Sequence, residues 1–362
     1  MEPFPKSWRT SPGGRLFLAI AREETGLSLG DGEAPEKAWQ LAEFHGMAPL
    51  VAGYILGHPG AGWPAAIRDE AKKTQDFALF RNIQLLALLG EIQQALEGAG
   101  IPWISLKGPV FTEQYTGGLR LRASSDLDVL VRPGDAEKAD RVFRSLQITS
   151  AHPVRPCASW LGVRKHEHPY QSKSPRYLVE LHWNLTGGCY DVVDLETAFS
   201  RSRRTRLESG IFPVLSREDA LLFAAMHAFG HRWDRLYHVK MMDWLLRGEP
   251  GTPAGAGVEG LDWNYVLAAA AQADKTRILL LGLALVHDYM DVALPARIID
   301  LIRADPVLPR LQEQVDENFC GTGPASSSRR TFLFKWRALE TARDRTALIP
   351  RALVTRLIWR QA

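Results

Sequence analysis

From residue 15 to 58, apolar side chains recur at helical spacing: Leu16, Phe17 and Ile20, then Trp39, Leu41, Ala42 and Phe44. Gly57 to Pro64 interrupts that pattern. Pro64 to Glu97 then predicts one long amphipathic helix, with Phe77, Phe80, Leu85, Leu88, Leu89, Ile92 and Leu96 as a stripe expected in the core. After Gly98 and Gly100 the period shortens. Ile101 to Leu106 reads as a short buried strand, Val110 to Tyr115 as a helix stopped by Gly117-Gly118, and Ser125 to Val131 as a second strand. Pro133-Gly134-Asp135 opens a helix with Asp135 as its cap. Residues 150–176 predict a connection with a strand near Tyr170, and Tyr177 to Trp183 alternates as a further strand closed by Gly187-Gly188. Ser216 heads a capping-box pattern in which Asp219 takes the usual glutamate place. Helices are expected over 265–273, 276–290 and 296–303, and loops over Gly248–Gly260 and Cys320–Arg330. Thr331 to Trp359 is amphipathic and basic, and is expected to dock on the body of the protein.

Chemistry concentrates where the period is two. In Ser125-Asp126-Leu127-Asp128-Val129, both carboxylates leave one face of the strand and Leu127 and Val129 leave the other. Like charges so close on an apolar strand need a cation between them, and a divalent metal is the economical one. Asp126 capping a turn, with Asp128 paired to a nearby arginine, is the competing reading. Upstream, Gly108 allows close backbone approach to a ligand and Pro109 suits the first turn of a helix. That helix start, with the charge of Lys107 beside it, forms a phosphate cradle. Glu180 and His182 share a face of Tyr177–Trp183, so Glu180 joins Asp126 and Asp128 if the strands pair. Three carboxylates around oxygen-liganded metals are the arrangement for in-line phosphoryl or nucleotidyl transfer.

A glycine turn, an acidic strand and a later strand with a third carboxylate resemble the DNA polymerase β-like nucleotidyltransferase superfamily. The Leu106-Lys107-Gly108 turn, the arginine of Leu121-Arg122-Ala123-Ser124-Ser125-Asp126-Leu127-Asp128 and Val179-Glu180-Leu181-His182-Trp183 are similar to a bacterial subfamily of largely uncharacterised nucleotidyltransferases. The likeness spans about residues 80–245. It implies an α+β palm with a mixed sheet, with helical regions at both ends: residues 1–97, 98–200 and 201–362 in turn. It further implies Asp126, Asp128 and Glu180 as catalytic, metal-holding residues for Mg²⁺ or Mn²⁺. A nucleoside triphosphate is the implied donor, with Lys107, Gly108, Arg122, Ser125 and Lys240 as nucleotide- or phosphate-binding residues. His182, His231, Arg235 and Asp243 are implied to face the substrate. Pro109 stands where the superfamily usually has a serine or second glycine, and seventeen residues separate Gly108 from Asp126. Lys107, Arg120 or Arg122 are therefore expected to contact the triphosphate in place of a serine hydroxyl.

Composition adds little that discriminates. At 362 residues, 46% apolar and 23% charged, the chain is that of a folded globular protein. A net charge of +3 offers no general attraction for a polyanion. Three widely spaced cysteines and no signal-peptide pattern fit the cytoplasm, and no apolar run approaches a membrane span. His166-Glu167-His168 reads as a solvated loop. His227 and His231 share a helix face and Asp234 and His238 another; Ala228 stands where a zinc protease needs its glutamate, so no zinc is expected. Arg201 to Arg206 is the one dense basic run and reads as a solvated loop or face, with contact to a phosphate-rich substrate as the lesser alternative. The favoured acceptor is a small molecule or a peptide, since the subfamily includes genes associated with ribosomal-peptide tailoring. A toxin-type enzyme modifying tRNA or other RNA, and a silent NTP-binding scaffold, are the alternatives.

Overall fold

A computed structural model describes residues 4–27, 35–152, 154, 159–160, 163–164, 166–173, 176–187, 190–321 and 328–349. The chain opens with three helices, α1 (Pro12–Ala21), α2 (Pro35–Phe44) and α3 (Ala48–Gly57), followed by the long α4 (Ala65–Gly98). Then come β1 (Trp103–Ser105), α5 (Pro109–Thr116), β2 (Asp126–Val131) and α6 (Ala136–Ser145). A small hairpin of β3 (Ser159–Trp160) and β4 (Val163–Arg164) precedes β5 (Glu167–Gln171) and β6 (Leu178–His182). After α7 (Leu195–Arg201), β7 (Arg203–Leu207) and β8 (Gly210–Val214) form a second hairpin. The remainder is helical: α8 (Arg217–Gly230), α9 (Leu236–Arg247), α10 (Ala256–Glu259), α11 (Trp263–Gln272), α12 (Thr276–Met290), α13 (Ala296–Ala304), α14 (Leu308–Phe319) and α15 (Ser328–Ala338).

Six strands form one mixed sheet in the order β5-β6-β2-β1-β8-β7. β2 runs parallel to β6 and antiparallel to β1, and β1 runs parallel to β8. This is the α+β mixed-sheet fold class expected above. Alternation along β2 and β6 sends Leu127, Val129, Val131, Val179 and Leu181 into a core with Leu85, Leu89, Ile92 and Leu96 of α4 and Phe143 of α6. The opposite face carries Asp126, Asp128 and Glu180 toward the C-terminal helices. There Ile104 and Leu130 join a second, larger core built from α1–α3 together with α8, α9, α11, α12 and α14. The N- and C-terminal helical regions therefore share one core. The sheet also continues past residue 200, where β7 and β8 complete it.

Several expectations are corrected. Phe77 and Phe80 lie on the solvent side of α4, 58% and 62% exposed. The buried face instead runs through Ile67, Ala71, Gln75, Ala78, Asn82, Leu85 and Leu89, where Gln75 donates to the Pro49 carbonyl in the first turn of α3 and Asn82 serves the loop before β2. Arg203 to Arg206 form the edge strand β7 rather than a loop, with Arg203 paired to Glu249 and Arg204 to Glu97. Asp135 stands at the N-terminus of α6 but makes no side-chain cap bond, whereas Ser216 caps α8 through the Asp219 amide. Between the expected helix at 296–303 and the basic C-terminal stretch lies α14, and α15 begins at Ser328, inside the expected loop. Cys157, Cys189, Gly188 and the segment from residue 350 onward lie outside the described residues. No helix among the described residues is long and apolar enough to cross a membrane.

Candidate active site

Register places the acidic residues. Parallel pairing of β2 with β6 sets Asp128 opposite Glu180, with Asp126 opposite Leu178 and Leu130 opposite His182. The three carboxylates thus share one sheet face, as their spacing predicts. Lys107 is the cation found between the two aspartates: its Nζ lies 3.6 Å from Asp126 Oδ2 and 3.3 Å from Asp128 Oδ1. Burial works against its charge, but Asp128, Asp126 and Glu180 outweigh that and hold the ammonium well above its usual range. His182 supplies the second counter-charge, with Nε2 3.0 Å from Asp128 Oδ1 and 3.7 Å from Glu180 Oε2. Burial would depress the imidazole, yet its bonds to Asp128 and Glu180 raise it to about 9. Asp128 is pushed up by burial and pulled down further by Lys107 and His182, so its carboxyl ends well below the usual range. At Glu180 the His182 bond acts downward, but burial and the charges of Asp128 and Glu167 prevail and raise it.

Behind the carboxylates, the glycine turn is held by Arg122. Gly108 has φ +80°, and a Cβ there would come within 3.2 Å of the Asp126 carbonyl, so only glycine fits without strain. The buried Arg122 donates from Nη1 to Gly108 O (3.0 Å), Thr112 Oγ1 (3.2 Å) and Ser124 Oγ (3.3 Å), and from Nε to the Tyr237 hydroxyl (2.5 Å). Asn82 of α4 secures the segment between turn and strand: Nδ2 donates to Leu119 O (2.7 Å) and Arg122 O (2.6 Å), and Oδ1 accepts from Ser124 N (3.1 Å). α5 starts behind Gly108 and so aims its first amides past the turn.

In front of these groups lies a cavity of about 910 Å³, whose lining does not include Gly108. Lys107, Arg122, Ser125, Asp126, Asp128, Glu180, His182, His231 and Arg235 all contribute to its wall, with Ser125, His231 and Arg235 exposed at the rim. Lys240 and Asp243 do not. Both are fully buried, 2.7 Å apart; Lys240 also meets Glu23 at 2.6 Å and Asp243 meets Arg247 at 2.7 Å. On α9 they turn to the N-terminal region, away from the cavity, because opposite sides of a helix cannot serve both. Arg120 is likewise outside it, exposed beside Asp76 at 3.1 Å.

Other residues of the wall escaped sequence reading. Glu167 and His166 line the cavity rather than a solvated loop, since β5 pairs Glu167 opposite His182. The alternation of Glu167, Pro169 and Gln171 against His168 and Tyr170 was the available signal. On the other wall, His227 of α8 joins His231, Asp234 and His238. Asp234 and His238 share a wall with His231 because the chain reverses between α8 and α9, with Arg232 and Trp233 at φ +61° and +45°. Burial of Trp233 against Gly282 of α12 enforces that reversal. Burial and the Lys107 charge hold His227 well below the usual imidazole range, and burial also lowers His231.

Comparison with solved structures finds partial likenesses. A protein assigned as a nucleotidyltransferase from Thermotoga maritima is 19% identical, over 38% of this chain and 80% of that one, with a TM-score of 0.26. An antigenic nucleotidyltransferase-like protein from Paracoccidioides brasiliensis is 15% identical, over 54% of this chain and 92% of that one, with a TM-score of 0.31. No curated protein matches the chain. A family model does: it matches residues 31–291, from α2 through α12, and takes in the glycine turn, both acidic strands and the histidine wall, so the chain belongs to the uncharacterised nucleotidyltransferase family.

Proposed function

We propose that this nucleotidyltransferase moves a nucleoside monophosphate from a nucleoside triphosphate to an acceptor oxygen of a small molecule, peptide or protein, releasing pyrophosphate. The observation that carries the reading is the β2–β6 register, which turns Asp126, Asp128 and Glu180 together into a cavity beside a glycine turn and a lysine. The donors fit a divalent cation. Asp126 Oδ1 and Asp128 Oδ2 are buried without a hydrogen-bond partner among the described residues, and hard oxygen ligands suit Mg²⁺ or Mn²⁺. Asp126, Asp128 and Glu180 would hold it; when bound, it would neutralise phosphate charge and acidify the acceptor hydroxyl.

The remaining roles fall to the chain itself. Lys107 leaves the aspartates for the triphosphate, so one ammonium serves the site in both states. The first amides of α5 orient the same phosphates. Glu180, whose carboxyl is raised by burial and by the charges of Asp128 and Glu167 despite its His182 bond, takes the acceptor proton. Arg122 keeps the turn in place and adds positive charge where the leaving pyrophosphate gains negative charge. His182 orients Asp128, while Ser125, His231 and Arg235 at the rim meet nucleotide or acceptor. A small or peptide acceptor is favoured because the Arg203–Arg206 strand is absent from the cavity wall. The three widely spaced cysteines favour a reducing, cytoplasmic setting.

The test is Asp128→Asn, assayed for transfer of labelled nucleotide from each triphosphate to pooled small molecules and peptides. Turnover should fall by about 10³-fold or more, with the far-UV spectrum unchanged. Mg²⁺ and the correct triphosphate together should raise the melting temperature of the unmodified protein, because ligands bound only by the native state oppose unfolding. Wild-type turnover in the Asn variant would remove the reading.

A further inference from the structure

The histidine wall holds a group of donors of which the proposed transfer uses only His231, at the rim. One ring nitrogen each of His231 and His238 and one carboxylate oxygen of Asp234 lie within 4.8 Å of one another. His238 Nε2 is 3.2 Å from Asp234 Oδ1, close to the spacing of about 3.4 Å between neighbouring ligands of a tetrahedral ion with bonds of about 2.1 Å. The His238 ring is buried, and its Nδ1 has no hydrogen-bond partner among the described residues. In the tautomer with the ring proton on Nδ1, Nε2 presents its lone pair beside the Asp234 carboxylate. His231 lies stacked on His238, centroids 5.2 Å apart, and is exposed, so its ring can turn to complete a site. Of the nearby cations, Arg235 donates to the Phe44 carbonyl and Lys335 lies over the Tyr190 ring.

We propose that His231, Asp234 and His238 form a second cation site, of the imidazole–carboxylate kind that takes Zn²⁺ or a neighbouring first-row ion, distinct from the carboxylates of β2 and β6. Imidazoles suit these ions, whereas all-oxygen carboxylate sites suit Mg²⁺ and Mn²⁺, so one cavity offers two chemically different positions. Three protein ligands leave a coordination position open toward the cavity, where a hydroxyl, carboxylate or phosphate of a substrate would enter. The absence of the H-E-x-x-H glutamate, which argued against zinc on His227 and His231 alone, has no bearing on this ligand set.

Co²⁺ serves as the spectroscopic probe. The full-length protein titrated with Co²⁺ should bind one equivalent with the strong visible absorption of a four-coordinate ion, and Zn²⁺ should displace it. Asp126→Asn and Glu167→Gln should keep the band, because the carboxylate site and the His166–Glu167–His182 cluster are elsewhere on the wall. His231→Ala, at an exposed position that leaves the fold undisturbed, should weaken Co²⁺ binding by about tenfold or more, and His238→Asn should abolish the band. Absence of the band in the unmodified protein, unchanged Co²⁺ affinity in His231→Ala, survival of the band in His238→Asn, or its loss in Asp126→Asn or Glu167→Gln would overturn the proposal. The readout is metal binding, so it stands or falls independently of nucleotidyl transfer.

Discussion

At the scale of single residues, the site is a problem in charge neutralisation solved twice over. Two aspartates two apart on a buried strand would repel each other, and the protein sets Lys107 between them and His182 beside one of them. His182 makes the arrangement pH-dependent in a definite direction. Its folded-state value of about 9 lies above the ordinary 6.5, so its contribution is complete below pH 6.5 and is lost as pH rises through 9. Urea unfolding of the metal-free protein should therefore show stability falling by roughly 1–3 kcal/mol between pH 6 and pH 9.5. His182→Asn should flatten that slope. The need for a cation was legible in the spacing of Asp126 and Asp128. That Lys107 itself supplies one was not, because nothing in a linear pattern says where a lysine head will swing.

At the scale of elements, α4 does more than cover the sheet. Its apolar stripe was half visible: Leu85, Leu89, Ile92 and Leu96 pack as their spacing predicts, but Phe77 and Phe80 do not. The true buried face passes through Asn82, which a hydrophobicity pattern places on the polar side. Replacing Asn82 by Ala would orphan the carbonyls of Leu119 and Arg122 and the amide of Ser124, whose only substitute is water in a buried setting. A loss of about 2–4 kcal/mol is expected in denaturant unfolding. Triphosphate affinity, read by titration, should weaken as well, since the same segment carries Arg122 and leads into Asp126. Helices α8 and α9 show the opposite gap. Both were legible as helices, yet assigning Lys240 and Asp243 to the site failed because a helical periodicity names faces without saying which neighbour each face meets.

At the scale of the whole molecule, charge is spread and paired. Arg203 and Arg204 on edge strand β7 engage Glu249 and Glu97 at the surface, where such pairs contribute about 0–1 kcal/mol each. Changing Arg203, Arg204 and Arg206 to Ser should leave transfer to a small or peptide acceptor within about twofold of wild type. A steep, salt-dependent loss of activity in that variant would point to a nucleic-acid acceptor, at about 0.7–0.9 in log–log slope per phosphate contact. The mixed sheet and its class were legible from three motifs in order. The shared core of the two helical regions was not, because contacts between α1–α3 and α8–α14 join parts of the chain that carry no common motif.

The pairing of β2 with β6 also has a consequence in time. Asp128 and Glu180 are neighbours in space but 52 positions apart in sequence (180 − 128), and the histidine wall follows about as far again. Parallel strands joined by so long a connection form late, after its closure entropy has been met. A nascent chain that has emerged only as far as β2 therefore exposes two aspartates with no third carboxylate, no opposite wall and no enclosure for a triphosphate. Catalytic competence therefore waits on synthesis through the histidine wall, and copies that end before it should be inert.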